Sequence, residues 1–139
     1  MKKQLIAVMF AIAMSLVISA GETSAQSQAF RVKVPFDFSA NNKTLPAGTY
    51  VVHPATDNRV LWRVQGADQD LGTLLMAGIS KAEDSSNIRI TFHRYGNRYF
   101  LAGFKTTSYD VALPMSGSEK SLRQSAGIDV GKLITLETN

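Results

Sequence analysis

Residues 88–104 read IRITFHRYGNRYFLAGF, and their pattern decides the fold class. Ile88, Ile90 and Phe92 alternate with Arg89, Thr91 and His93, the period of a strand buried on one side. Gly96 and Asn97 sit at the centre, and these residues supply the positive φ that a two-residue primed turn needs. Such a loop fixes the pairing: Tyr95 opposes Arg98, Arg94 opposes Tyr99, His93 opposes Phe100 and Phe92 opposes Leu101. Alternation then predicts a core-like face of Ile88, Ile90, Phe92, Arg94, Tyr99, Leu101 and Gly103. The other face holds Arg89, Thr91, His93, Tyr95, Arg98, Phe100, Ala102 and Phe104. Cross-strand pairs of Arg94 with Tyr99 and of Arg98 with Tyr95 would brace the hairpin, at about 0.5–1 kcal/mol each when exposed. Phe100 and Phe104 need a cover, either a helix or sheet of the same chain or a ligand or partner. His93, Tyr95, Arg98, Phe100 and Phe104 are therefore the candidate interaction surface.

The same period runs through most of the chain. Phe30, Val32, Val34, Phe36 and Phe38 alternate with Arg31, Lys33, Pro35 and Asp37. Pro35 cannot donate to a ladder, so this strand is expected at a sheet edge or to break there. Further strands are expected over Thr49–His53, Arg59–Gln65, Leu71–Met76 and Lys132–Glu137, separated by links rich in turn formers. One helix is predicted. Ser116 and Glu119 have capping-box spacing, with Glu119 returning to the Ser116 amide, and the helix should stop at Gly127. Its apolar face is thin, chiefly Leu122 and Ala126. The expectation is an all-β domain: an antiparallel sandwich or small partly open barrel of about seven strands, with one short C-terminal helix.

The N-terminus reads as a cleavable signal helix. Lys2 and Lys3 precede an uncharged apolar run from Leu5 to Ile18, and small residues follow. Cleavage is expected after Ala20 or Ala25, with Ala25 favoured because Thr23 is small at the third position before the cut. The run is shorter than the roughly 20 residues of a spanning helix, and no Cys follows it to carry a lipid. A signal peptide over residues 1–25 and a single β-rich domain over 26–139 are thus predicted, exported to the periplasm or beyond the cell. After cleavage it should not span the membrane. The full chain carries a net charge of +4, and loss of Lys2, Lys3 and Glu22 leaves +3. This is mild, so nucleic acid is not an expected partner, whereas anionic lipid or polysaccharide remains open. With no Cys, stability rests on packing and thiol chemistry is excluded.

Three segments carry a resemblance. Val34-Pro35-Phe36-Asp37-Phe38 is followed by Lys43-Thr44-Leu45-Pro46-Ala47-Gly48-Thr49-Tyr50, and later by Phe92-His93-Arg94-Tyr95-Gly96-Asn97-Arg98-Tyr99-Phe100-Leu101. Near the end come Leu113-Pro114 and a helix. In these motifs the chain resembles a family of short secreted acidobacterial proteins of unknown function. The resemblance implies secretion and a mostly β fold, and it implies no activity, cofactor or site residue. The chain departs from that pattern at Gly117 and Ser118, which are weaker helix formers than the charged residues expected there.

Catalytic motifs find little support. His53 and His93 fall on different strands, and a zinc site would need both of them with carboxylates. Asp68-Gln69-Asp70-Leu71-Gly72 lacks the further oxygen ligands of a calcium loop. Neither a nucleophile elbow nor a phosphate-cradling glycine loop occurs. No cofactor is expected. The leading expectation is an exported non-catalytic domain acting by binding or structural association in the cell envelope, with polysaccharide or protein as candidate partners. The alternatives are a carrier with an apolar cavity lined by residues such as Phe36, Trp62 and Phe92, or an enzyme using His53 or His93. The edge at Phe30–Phe38 is also a candidate for self-association.

Overall fold

The computed structural model describes residues 29–83, 87–128 and 131–138; the leader at 1–25 lies outside them. Eleven strands and one helix occur among these residues. In chain order they are β1 (Phe30–Val34), β2 (Phe38–Ala40), β3 (Lys43–Leu45), β4 (Gly48–Pro54), β5 (Leu61–Gly66), β6 (Gly72–Met76), β7 (Gly78–Lys81), β8 (Arg89–Tyr95), β9 (Arg98–Lys105), β10 (Tyr109–Ala112), α1 (Gly117–Ala126) and β11 (Lys132–Glu137). One sheet has the order β1-β4-β5-β6, and the other runs β11-β8-β9-β10-β7 with β2 and β3 attached beside β9.

The strand count exceeds the predicted seven for local reasons. The Phe30–Phe38 run breaks at Pro35–Asp37 into β1, which is a sheet edge, and β2, which joins the other sheet. Strands β2 and β3 form a tight hairpin. Asn41 and Asn42 both have positive φ, 48° and 61°, the signature of a two-residue primed turn. The pieces β7 and β10 are short and pair with each other, so neither shows a long alternating run. All ladders are antiparallel except the Ser39–Phe100 pairing of β2 with β9.

The motif segments around Pro35 and Pro46 lock together. The Ala47 N–H donates to Asp37 Oδ1 at 2.8 Å, and the Tyr50 hydroxyl donates to the Pro46 carbonyl. Leu45, between them, is fully buried.

The core lies between the sheets and is aromatic. Phe92 meets Phe36 and Phe38 edge-on at 5.2 and 5.4 Å between ring centroids. Phe104 meets Phe30 at 5.4 Å and Trp62 at 4.7 Å. Phe36, Trp62 and Phe92, which a carrier would turn toward a cavity, are thus packed on other rings. Trp62 is fully buried, and its indole N–H has no hydrogen-bond partner among the described residues. Such a donor costs about 1–3 kcal/mol, set against the favourable burial of the large indole ring.

The hairpin follows the predicted register from Tyr95–Arg98 to Phe92–Leu101. It then shifts: Thr91 pairs with Gly103 and Ile90 with Phe104, so Ala102 is the extra residue of a β-bulge. The bulge turns Phe104 from the predicted outer face into the core, where it is buried. Gly103 is required there, because a Cβ would stand 2.4 Å from the Val111 carbonyl oxygen of β10.

Candidate functional site

The five candidate residues do not form one surface. Phe104 is in the core, as just described. Phe100 stays on the outer face but is buried, with Tyr95 edge-on to it at 5.8 Å. The Arg98 guanidinium lies over Phe100 at 5.4 Å rather than over Tyr95, and Arg94 covers Tyr99 at 5.5 Å as expected. Only Arg98 of the five is exposed.

What covers this face is helix α1, and its anchor is a carboxylate. Ser116 caps the helix and accepts from the Glu119 N–H, and Gly127 ends it in a left-handed conformation, as predicted. The Glu119 side chain does something else than the expected capping-box return. It is 2 % exposed, the one buried residue of the helix. Its Oε1 lies 2.7 Å from His93 Nδ1 and 2.9 Å from the Tyr95 hydroxyl. A carboxylate can only accept, so both partners donate to it. Leu122 and Ala126, the expected apolar face, are half-buried and exposed. Capping spacing flagged Glu119, but no local signal could show where its carboxylate goes, because both partners lie more than 20 residues away.

Gly131 completes the arrangement. A Cβ there would meet Tyr95 Cζ at 2.7 Å and His93 Cβ at 3.1 Å, so only glycine lets the chain pass over the tyrosine ring. Burial raises the Tyr95 pKa, the Glu119 bond and charge raise it further, and the Gly131 backbone and Arg123 partly oppose them. Tyr50 is raised in the same sense by burial and by Asp37. Above the ordinary tyrosine value of about 10 the unfolded chain loses these protons while the folded chain keeps them. The folded state then binds more protons, so stability falls as pH rises. Urea midpoints are expected to be lower at about pH 11 than at about pH 9, and Tyr95→Phe should flatten part of that slope. An unchanged slope in the variant would contradict this assignment.

The outward face of the four-stranded sheet has a different character. Strand register places Arg31 and Lys33 of β1, His53 of β4, Arg63 of β5, and Leu74 and Met76 of β6 on it. The four strands contain no Asp or Glu. At the β6 side, Lys43, Arg63, Gln65, Asp70 and Leu74 line an open depression of about 350 Å³. Leu74 and Met76 are 44 % and 67 % exposed. The two histidines therefore stand on outward faces of opposite sheets, and His53 Nδ1 sits 3.1 Å from the Pro54 carbonyl. Among the described residues no three His, Cys, Asp or Glu side chains gather as metal ligands. Nor is any helix among them long and apolar enough to cross a membrane.

Comparison of the chain with protein-family models, with curated proteins and with solved structures found no match.

Proposed function

We propose that the protein is an exported, non-catalytic binding domain of the cell envelope whose ligand is an anionic polysaccharide. The observation that carries this reading is the outward face of the four-stranded sheet, whose strands hold no Asp or Glu and where Arg31, Lys33 and Arg63 share one side, with Asp70 at the β6 rim. A face on which cations outnumber anions attracts an oppositely charged polymer and raises its local concentration. Leu74 and Met76 beside the cations give a polymer an apolar surface on which a sugar ring can rest. The leader read at residues 1–25 would deliver the domain to the periplasm or the outside, where such polymers are found. The ring-filled interior weighs against the carrier alternative.

The test is retention of the purified protein on an acidic polysaccharide, such as polygalacturonate, against neutral dextran. Binding only to the acidic polymer is expected, falling as salt shortens the screening length from about 10 Å at 0.1 M. Arg31→Glu combined with Arg63→Glu should weaken retention by roughly a hundredfold, or about 2.7 kcal/mol, with the fold unchanged by circular dichroism. Equal binding to dextran, or an unaffected double variant, would reject the proposal.

A further inference from the structure

A sheet edge is a row of unpaired backbone donors and acceptors, and native proteins blunt such edges. Three of the four path edges here are blunted. Strand β1 exposes Arg31 and Lys33 and is followed at once by Pro35. On β6, the Lys43 ammonium donates to the Gly72 carbonyl at 2.8 Å and the Asn41 amide to the Leu74 carbonyl at 3.0 Å. Strand β7 has four residues and ends on Lys81.

Strand β11 is longer than β7 and its middle is unprotected. It pairs with β8 over six residues without a register shift, from Lys132–Arg94 to Glu137–Arg89. It contains no Pro, and its charges stand only at the two ends. Among the described residues nothing pairs with its far side. Leu133 is 61 % exposed, and Ile134 and Leu136 pack on the core but stay half-buried.

The direction of the free groups can be read off. The Thr138 N–H donates to the Ile88 carbonyl at 3.0 Å. Thr138, Leu136, Ile134 and Lys132 therefore turn their backbone groups toward β8, and Leu133, Thr135 and Glu137 turn theirs outward. An antiparallel second copy related by a two-fold axis through the sheet must pair outward residues with outward residues. One register uses all three of them: Thr135 opposite Thr135, and Leu133 opposite Glu137 twice. It also sets Ile134 opposite Leu136 twice on the core side, apolar against apolar, and brings no like charges together. Shifting by one step toward the strand's start would put Lys132 opposite Leu136 on that side instead.

We infer that the protein forms a two-fold dimer through β11, paired about Thr135, in which the two five-strand paths join into one continuous sheet of ten. The inference is independent of the polysaccharide reading, since it uses the opposite sheet and needs no ligand.

Sedimentation of the purified protein tests it, with a dimer expected as concentration rises to about 100 μM. Thr135→Pro removes an N–H that points outward and so costs the monomer no hydrogen bond. It should weaken association by at least about tenfold while circular dichroism stays the same. If that variant does not fold, Thr135→Lys sets two ammonium groups against each other on the axis and should likewise give a monomer. The chain has no native Cys, so oxidation of Thr135→Cys should cross-link two chains, while Leu133→Cys, facing Glu137, should not. A wild-type monomer at every concentration, a folded Thr135→Pro or Thr135→Lys dimer, or cross-linking through position 133 in place of 135 would each overturn the inference.

Discussion

Truncating Phe104 to Ala is expected to remove about 3–5 kcal/mol of stability, the range for emptying a buried aromatic site. A domain of this size has about 5–15 kcal/mol in total, and the melting temperature should fall on the order of 15 °C. The reason is the bulge at Ala102. It moves Phe104 from the solvent side of β9 into the core, against Phe30 and Trp62. Had the hairpin kept its register, Phe104 would stand on the outer face opposite the exposed Arg89, and the same change would cost about 1 kcal/mol or less, as at an exposed site. Chemical unfolding of the variant decides between the two arrangements. A loss below about 1 kcal/mol would mean that the bulge is misplaced.

Glu119→Ala should be nearly as damaging, and in a different way. The change leaves the buried Tyr95 hydroxyl without its acceptor and His93 without its anion. An orphaned buried polar group costs about 1–3 kcal/mol, and loss of a charged partner puts the total near the upper end. Because Glu119 is the one buried residue of the helix, α1 should come off the sheet before the sheet melts. Trypsin cleavage after Lys120 and Arg123 is the readout, and it should accelerate well before the near-ultraviolet signal of the core is lost. Glu119→Gln keeps an acceptor oxygen and should fall between wild type and Ala. Unchanged cleavage in the Ala variant would show that something other than the carboxylate holds the helix.

These two residues also mark where sequence reading succeeds and fails. The register from Tyr95–Arg98 to Phe92–Leu101 is legible because Gly96 and Asn97 set it locally. It fails two residues later, because the bulge answers to the β10 backbone passing over Gly103, a neighbour no local pattern names. The glycine inside a strand was itself the available signal, since such a residue often marks a bulge or a close approach. Glu119 was likewise half legible: its backbone role in the cap depends on Ser116 three residues earlier, while its carboxylate answers to β8. The basic face was hidden for a related reason. Arg31, Lys33 and Arg63 lie on strands whose neighbours are known only once β1, β4, β5 and β6 are placed side by side. The rest of the aromatic core, in contrast, is visible as alternation: Phe30, Phe36, Phe38 and Phe92 all fall on the predicted inner faces, and Phe104 alone does not.

The Asn41–Asn42 turn does more than reverse the chain. Asn42 Oδ1 accepts the Ser118 N–H at 3.0 Å, across 76 residues of sequence, so the first turn of α1 is capped partly by the opposite end of the domain. This makes the order of events in folding unequal. An amphipathically weak ten-residue helix is too short to persist alone in water. It must wait for the N-terminal hairpin to supply Asn42 and for β8 to supply His93 and Tyr95. Such long-range closures slow a β-rich chain. The last step of folding should therefore be the seating of α1, a slow, late phase that follows assembly of both sheets and fixes when the chain becomes resistant to proteases.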